Sequence, residues 1–306
     1  MTNFTHNNHL VYSTGDNEYG HRSNSFEKFS VRLGKVDHDQ YRSSSYRQEL
    51  YRTADIVYKE FGNDLVVLLS GGTDSEIVLR NFVDIGVRPR CVAIKFAGDY
   101  NLGDINEAYA ITNELGIKLD TIEFDIKEFY YSGEAADFGS KIQCTQLAYL
   151  MSYYNIAKLS APAVMGGEVF LSRNVSVGND NYWSYVFREN EDASAMRFSL
   201  LYGIPLVNEW FSYTPELLLY YLENPMITSL ISTKYNYKLT SVSSKNKILK
   251  TLYPEIRDKI KTHGFEQLRA FNHESYRQIA STQISRLESS LDGIPYFTAL
   301  RMLKGE

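Results

Sequence analysis

The sequence predicts an α/β fold, a parallel twisted sheet flanked by helices with a mostly helical C-terminal region. Three observations predict it. The run Leu65-Val66-Val67-Leu68-Leu69 is uniformly apolar and of strand length, which suits a strand covered on both faces. Further apolar strand-length runs alternate with stretches whose apolar residues recur at helical spacing, the pattern of βαβ units. The chain has 306 residues, 43% hydrophobic and 23% charged, enough to bury a large core.

Residues 1–42 are polar and rich in Asn, His and Ser, and read as an N-terminal extension. His6 and His9 there have no carboxylate or cysteine close by, whereas zinc wants three or four converging ligands. From Ser43 to Phe61 the spacing of Leu50, Ala54, Val57 and Tyr58 predicts a helix with Ser45 as N-cap, ending at Gly62-Asn63. The apolar strand follows and leads directly into Ser70-Gly71-Gly72-Thr73-Asp74-Ser75. Ile77, Val78, Phe82 and Val83 then mark a helix that stops by Gly86, and Arg90–Phe96 is a second strand.

Asp104, with Glu107 three residues later, predicts the start of the next helix as a capping-box-like pair. Ile105, Ala108, Ile111 and Leu115 form its apolar stripe, and Gly116 ends it. Ile122 and Phe124 point inward from a third strand within residues 118–125. Lys141 to Lys158 reads as one helix, and Ala161 to Met165 as a fourth strand running into Gly166-Gly167-Glu168. These elements define a core over residues 43–175, whose ligand site belongs at the carboxyl ends of its strands. Residues 176–306, first mixed and turn-rich and then mainly helical, read as a substrate-side region packed on that core. Within it Thr214-Pro215-Glu216 opens a helix to Leu222, with Pro at the first helical position. Lys245 to Lys261 is a basic helical stretch broken near Pro254.

Bulk chemistry narrows the function. A net charge of −5 provides no global basic field, so nucleic acid is not indicated as a partner, though a local patch stays open. Cys91 and Cys144 form no CxxC motif and no disulfide framework, which fits a reducing compartment. Neither a signal-like h-region nor a membrane-length apolar run occurs. The expectation is a cytoplasmic protein with no membrane partner. The 24 tyrosines suit packing better than base stacking.

The segment Ser70–Ser75 carries the chemistry. Two adjacent glycines let the backbone turn sharply and bring N–H groups close to a ligand. The following helix aims its unpaired N–H groups and positive dipole end at the same place. Ser70, Thr73 and Ser75 add hydroxyls. The GxxxxGK[ST] spacing of a Walker A loop is absent, and so is GxGxxG. A carboxylate at Asp74 would repel a phosphate unless a cation such as Mg²⁺ stood between them. The plainer reading is a Gly-Gly turn whose Asp74 only serves the helix start. The whole string, after a buried strand and before an amphipathic helix, favours the phosphate reading.

Ser70-Gly71-Gly72-Thr73-Asp74-Ser75 after a first strand resembles the SGGxDS signature of the PP-loop ATP pyrophosphatases, the adenine nucleotide α-hydrolase-like superfamily of Rossmann-like fold. The resemblance runs from about Asp64 to Glu168 and more faintly to about Phe265, and is closest in pattern to the synthetase domain of asparagine synthetase. It implies ATP and Mg²⁺ as cofactors. It also implies pyrophosphate binding by Ser70, Gly71, Gly72, Thr73, Asp74 and Ser75, with Thr73 at the family's variable position. By position it puts Ala93, Ile94, Lys95 and Phe96 on the adenine side.

Gly166-Gly167-Glu168 is similar to a reduced form of the asparagine synthetase GxGxDE motif. There Glu168 is either a second Mg²⁺ carboxylate opposite Asp74 or a solvated residue after a glycine turn. The Lys-rich stretch implies a phosphate-reaching lysine, Lys247 or Lys245, against the plainer reading of a solvated helix face. Arg173 and Arg188 are weaker substrate-facing candidates.

Missing residues divide the family's chemistries. No Cys follows Met1, so the N-terminal-nucleophile glutaminase of asparagine synthetase is not expected, and an amine or ammonia comes from solution, a partner or the substrate. The two cysteines do not suit persulfide transfer, a zinc-bearing nitrile-forming enzyme or a reductase of the phosphoadenylylsulfate type. His263 and His273 are isolated and offer no general base. The expectation is an AMP-forming ligase acting on an unidentified small-molecule or nucleotide acceptor. Two alternatives stay open: a nucleobase- or tRNA-modifying member of the family, and a catalytically inert nucleotide binder. Intact Asp74 argues against the inert binder.

Overall fold

The run Leu65–Leu69 holds a strand, Val66–Leu68, because both of its faces are covered. In the computed structural model Leu65, Val67 and Leu69 join one apolar cluster, while Val66 and Leu68 join another on the opposite side. The structure describes residues 10–14, 17–18, 29–144, 146–167, 170–174, 182–187, 193–232, 248–257, 259, 264 and 292–306.

A short antiparallel sheet leads the chain: β1 (Val11–Thr14), β2 (Asn17–Glu18) and β3 (Phe29–Arg32), in the order β2-β1-β3. Helix α1 (His38–Ser43) follows, capped by Asp37. The stretch read from sequence as a polar extension therefore holds ordered elements. Helix α2 (Tyr46–Phe61) starts at Ser45, whose hydroxyl accepts from the Gln48 N–H, as its sequence predicts.

The central sheet has five parallel strands: β4 (Val66–Leu68), β5 (Arg90–Phe96), β6 (Leu119–Phe124), β7 (Ala163–Val164) and, past the elements named below, β10 (Leu206–Val207). Their spatial order is β10-β7-β4-β5-β6. Helices α3 (Thr73–Asp84) and α4 (Leu102–Leu115) carry the β4-to-β5 and β5-to-β6 crossovers. They pack with α2 on the face that includes Cys91 and Ala93. Helices α5 (Ile126–Tyr131), α6 (Glu134–Ile142), α7 (Leu147–Leu159) and α8 (Ser194–Tyr202) cover the face that includes Val92, Ile94 and Phe96. Each fully buried aliphatic side chain on these faces contributes about 1.5–3 kcal/mol. This three-layer parallel architecture is the α/β class that the sequence predicts.

Strand order reverses at β4. The chain moves outward through β5 and β6, then returns to place β7 on the other side of β4 and β10 beyond it. The switch point thus lies between the ends of β4 and β7, the place where such folds bind ligands.

Other elements differ from the sequence reading. The helix expected over Lys141–Lys158 is two: α6 ends at Ile142 with Gln143 in the left-handed region at φ 53°, and α7 starts after the Gln146 cap. Helix α4 is capped at Asn101 and not at Asp104. Strands β8 (Phe170–Asn174), β9 (Tyr182–Phe187) and β11 (Asp292–Pro295) form a second antiparallel sheet in the order β11-β9-β8.

Helix α9 (Pro215–Leu222) starts as predicted, with the Thr214 hydroxyl accepting from the Leu217 N–H at 3.1 Å. Helix α10 (Pro225–Ser232) follows. Residues 248–252 are helical and the helix stops before Pro254, because proline has no N–H to continue it. The C-terminal helix α11 (Tyr296–Lys304) returns to the α2 side of the sheet through Ala299 and Leu303. None of the described helices is long and apolar enough to cross a membrane.

Candidate functional site

The site grows from the carboxyl end of β4. Beyond Leu69 the chain turns at Gly71, whose φ of +71° lies in the region that only glycine enters freely. A Cβ at Gly71 would also fall 2.2 Å from the Asp104 carbonyl oxygen of α4, so no side chain fits there. Gly72 caps α3 without a side-chain bond, and its carbonyl accepts from the Glu76 N–H at 3.1 Å.

Ser75 closes the loop on itself. Its buried hydroxyl donates to the Gly72 carbonyl at 3.1 Å and accepts from the Ser70 N–H at 3.2 Å, with the Ser70 hydroxyl also 3.2 Å away. Ser70 itself is exposed. The result is a backbone-lined turn held at the N-terminus of a twelve-residue helix, the arrangement that binds anions.

Asp74 occupies the first turn of α3. Its Oδ1 is shut off from solvent. Acidic residues are at home in a first helical turn, yet the surroundings of this one are built to a tighter fit than a surface cap needs. Gly166, after β7, lies so close that a Cβ there would stand 2.7 Å from the Asp74 Cβ and 3.4 Å from the Ser75 nitrogen. The neighbouring Gly167, at φ +70°, would meet the Asn208 carbonyl oxygen at 1.7 Å. The two glycines thus hold the residues after β7 against the Ser70–Ser75 loop on one side and against the residues after β10 on the other.

One carboxylate beside an anion cradle fits Mg²⁺, which keeps several waters and takes few protein ligands when it arrives on phosphates. No group of three or more potential ligand side chains occurs among the described residues. Glu168, expected as a second carboxylate, and Lys247 and Lys245, expected at the phosphates, lie outside the described residues, as do Arg188, His263 and His273.

A different lysine reaches the loop. Lys259 Nζ donates to the Gly71 carbonyl at 3.3 Å and pairs with Glu76 Oε2. Its side chain is 5% exposed and that of Glu76 is 3%. Glu76 also binds Arg80 at 2.7 Å, and Arg80 binds Glu114 at 2.7 Å. The hydrogen bond from Arg80 holds the Glu114 carboxyl below the usual carboxylate range. This four-residue relay is charge-balanced and fixes Lys259 against the back of the cradle. The sequence placed Lys259 inside the basic stretch but offered no sign that it, among several lysines, turns inward.

The four adenine-side candidates divide by backbone direction. All four lie in register with Thr121–Phe124 of β6, Ala93 and Lys95 with their backbone groups turned toward β6, and the Lys95 ammonium is held by Asp99 at 2.8 Å. Ile94 and Phe96 face the β4 side. There the Ile94 carbonyl accepts from Asn101 Nδ2 and the Phe96 N–H donates to Asn101 Oδ1, both at 2.8 Å.

No protein-family model matches the chain, and no curated protein matches it. Solved structures give distant likenesses. A predicted subunit of tRNA methyltransferase from Methanocaldococcus jannaschii matches at 15% identity and a TM-score of 0.33, over 65% of this chain and 93% of that one. NMN synthetase from Francisella tularensis matches at 15% identity and a TM-score of 0.32, over 83% of this chain and 98% of that one. The glutamine-dependent NAD⁺ synthetase from Acinetobacter baumannii, in complex with ADP, matches at 14% identity and a TM-score of 0.32, over 87% of this chain and 50% of that one.

Proposed function

We propose that this protein is an ATP pyrophosphatase that adenylates a carboxyl or carbonyl oxygen and passes the activated group to an amine or ammonia. The observation that carries the reading is the cradle at Gly71-Gly72 with Asp74 wedged against Gly166 at the switch point. A backbone cradle at a helix N-terminus binds phosphate, and a carboxylate within it is explained by a divalent cation.

In this reading Ser70, Gly71, Gly72, Thr73 and Ser75 hold the β- and γ-phosphates, Asp74 is the metal ligand, and Lys259 offsets charge from behind the loop. Mg²⁺, when bound, neutralises phosphate charge and stabilises the departing pyrophosphate. The acceptor oxygen attacks the α-phosphorus, the bond to the bridging oxygen breaks, and pyrophosphate leaves with the electron pair. The amine then attacks the activated carbon and AMP leaves. The chain's own residues contribute positioning and a preset field rather than proton transfer. The fixed geometry of Ser75 and the glycines serves that role.

Incubation with ATP, Mg²⁺ and a panel of carboxylate and nucleotide acceptors tests the reading. Pyrophosphate and AMP are the expected products, with Asp74→Asn abolishing turnover. Release of ADP, or ATP binding without turnover that Asp74→Asn leaves unchanged, would overturn it.

A further inference from the structure

Strand β5 outruns β4. The last β4-side bond is Leu69 N–H to the Val92 carbonyl at 2.8 Å, after which β4 has already turned into the phosphate loop. Backbone direction alternates along a strand, so Ile94 and Phe96 present their backbone groups on the same edge, and beyond the Ile94 N–H come the Ile94 carbonyl and the Phe96 N–H. They form an acceptor and a donor side by side, at the carboxyl end of the sheet and next to the cradle. A buried edge of this kind must be paired.

Asn101 pairs it. The carboxamide donates to Ile94 and accepts from Phe96, and these two bonds fix which end is oxygen. Asn101 is 7% exposed. It also stands at the N-cap of α4, where an asparagine ordinarily accepts from the second or third N–H of its helix, here Gly103 or Asp104. It makes no such bond. The turn that brings it back to the strand passes through Gly98 and Asp99, both at positive φ. Gly264 closes over it, leaving no room for a side chain between Phe96, the Tyr100 carbonyl and the Asn101 Cβ.

A carboxamide presents the same adjacent donor and acceptor as the N6 and N1 edge of adenine. We infer that Asn101 is an internal stand-in for the nucleobase: it plugs the edge that reads adenine, and ATP binds by driving it off the strand and into the N-cap of α4. The inference rests on the ATP reading above. In the cap position Oδ1 would accept from the Gly103 or Asp104 N–H, so a rotation about the side-chain bonds gives its oxygen a new donor and releases the Ile94 carbonyl and the Phe96 N–H. Because part of the protein is always plugged, the apparent affinity for the base is lower than its intrinsic value.

Calorimetric titration of Mg-ATP and of Mg-tripolyphosphate into wild type, Asn101→Ala and Asn101→Asp tests this. Tripolyphosphate engages the cradle but has no base. Asn101→Asp keeps a capping side chain for α4 while its carboxylate repels the Ile94 carbonyl, so it serves where the alanine variant folds poorly. Both variants are expected to raise the ratio of ATP to tripolyphosphate affinity by about tenfold, the worth of roughly one net hydrogen bond. An unchanged or lowered ratio, with both ligands still binding, overturns the plug and leaves the phosphate reading standing. If neither ligand binds to any of the three proteins, both fall.

Discussion

Gly166 and Asp74 touch across the switch point of the sheet, with 2.7 Å separating the Asp74 Cβ from where a Gly166 Cβ would stand. One residue follows β7 and the other lies in the first turn of α3, so their contact ties the two sides of the switch point. The catalytic carboxylate of the proposed reaction is therefore positioned by a missing side chain in the segment that follows β7.

Gly166→Ala should displace Asp74 and the start of α3. Overpacking costs about 1–3 kcal/mol, and the displaced carboxylate should weaken Mg-ATP binding by at least about tenfold. Gly116→Ala is the contrast: it carries backbone strain that Gly166 lacks, with a positive φ of 64°, but a Cβ there meets nothing within 4 Å. It should cost about 1 kcal/mol of stability and leave binding unchanged. Urea unfolding beside ATP titration separates the two effects.

Lys259→Met leaves Glu76 with Arg80 alone inside a nearly dry site. Breaking a buried pair by removing one partner costs about 3–5 kcal/mol. Adding Glu76→Gln should recover part of that loss while leaving ATP affinity low, since the cation behind the cradle stays missing. Full recovery of ATP binding in the double variant would mean that Lys259 is structural only.

Much of the site was legible because it is local. The strand Leu65–Leu69, the glycines of the loop and the first turn of α3 are contiguous, and each follows from backbone rules that sequence displays. The caps at Ser45 and Thr214 were legible for the same reason. Pairings between distant segments were not. Lys259 and Lys247 look alike in sequence, and only the tertiary path of the chain brings Lys259 to Gly71. Asn101 was passed over because its side chain acts on the preceding strand, while Asp104 three residues on satisfied a capping rule. The two-residue strand β10 is too short for periodicity to mark it.

Cys91 is sealed within β5, and burial, with a smaller effect from Asp120, pushes its thiol up to about 12. It should resist alkylation in the native protein at neutral pH and react on unfolding. The linkage has a definite sign. The folded state keeps the proton that the unfolded state sheds near pH 8.5, so stability is full below that value and falls as pH rises toward 12. The slope approaches about 1.4 kcal/mol per pH unit at most. Cys91→Ala should flatten this alkaline limb in denaturant titrations at pH 8 to 10, and an unchanged limb would assign it to other groups.

Thr214 joins α9 to α2, the helix that packs against α3. Its buried hydroxyl accepts from the Leu217 N–H at 3.1 Å, capping α9, and donates to Glu49 Oε1 of α2 at 2.8 Å. Glu49 is fully buried, and Arg52 neutralises it at 2.5 Å. One hydroxyl therefore does two things that no apolar residue can replace. Thr214→Val keeps the shape but loses the cap, at about 0.5–2 kcal/mol, and removes a donor from a buried carboxylate, at about 1–3 kcal/mol. The expected loss is the sum of the two in urea unfolding, because the bonds share an oxygen but serve different groups. Thr214→Ser should retain most of the stability. Thr214→Val in a Glu49→Gln background should lose less than in wild type, because the neutral amide depends less on the missing donor. If the loss is the same in both backgrounds, the hydroxyl acts on α9 alone and the bond to Glu49 adds nothing.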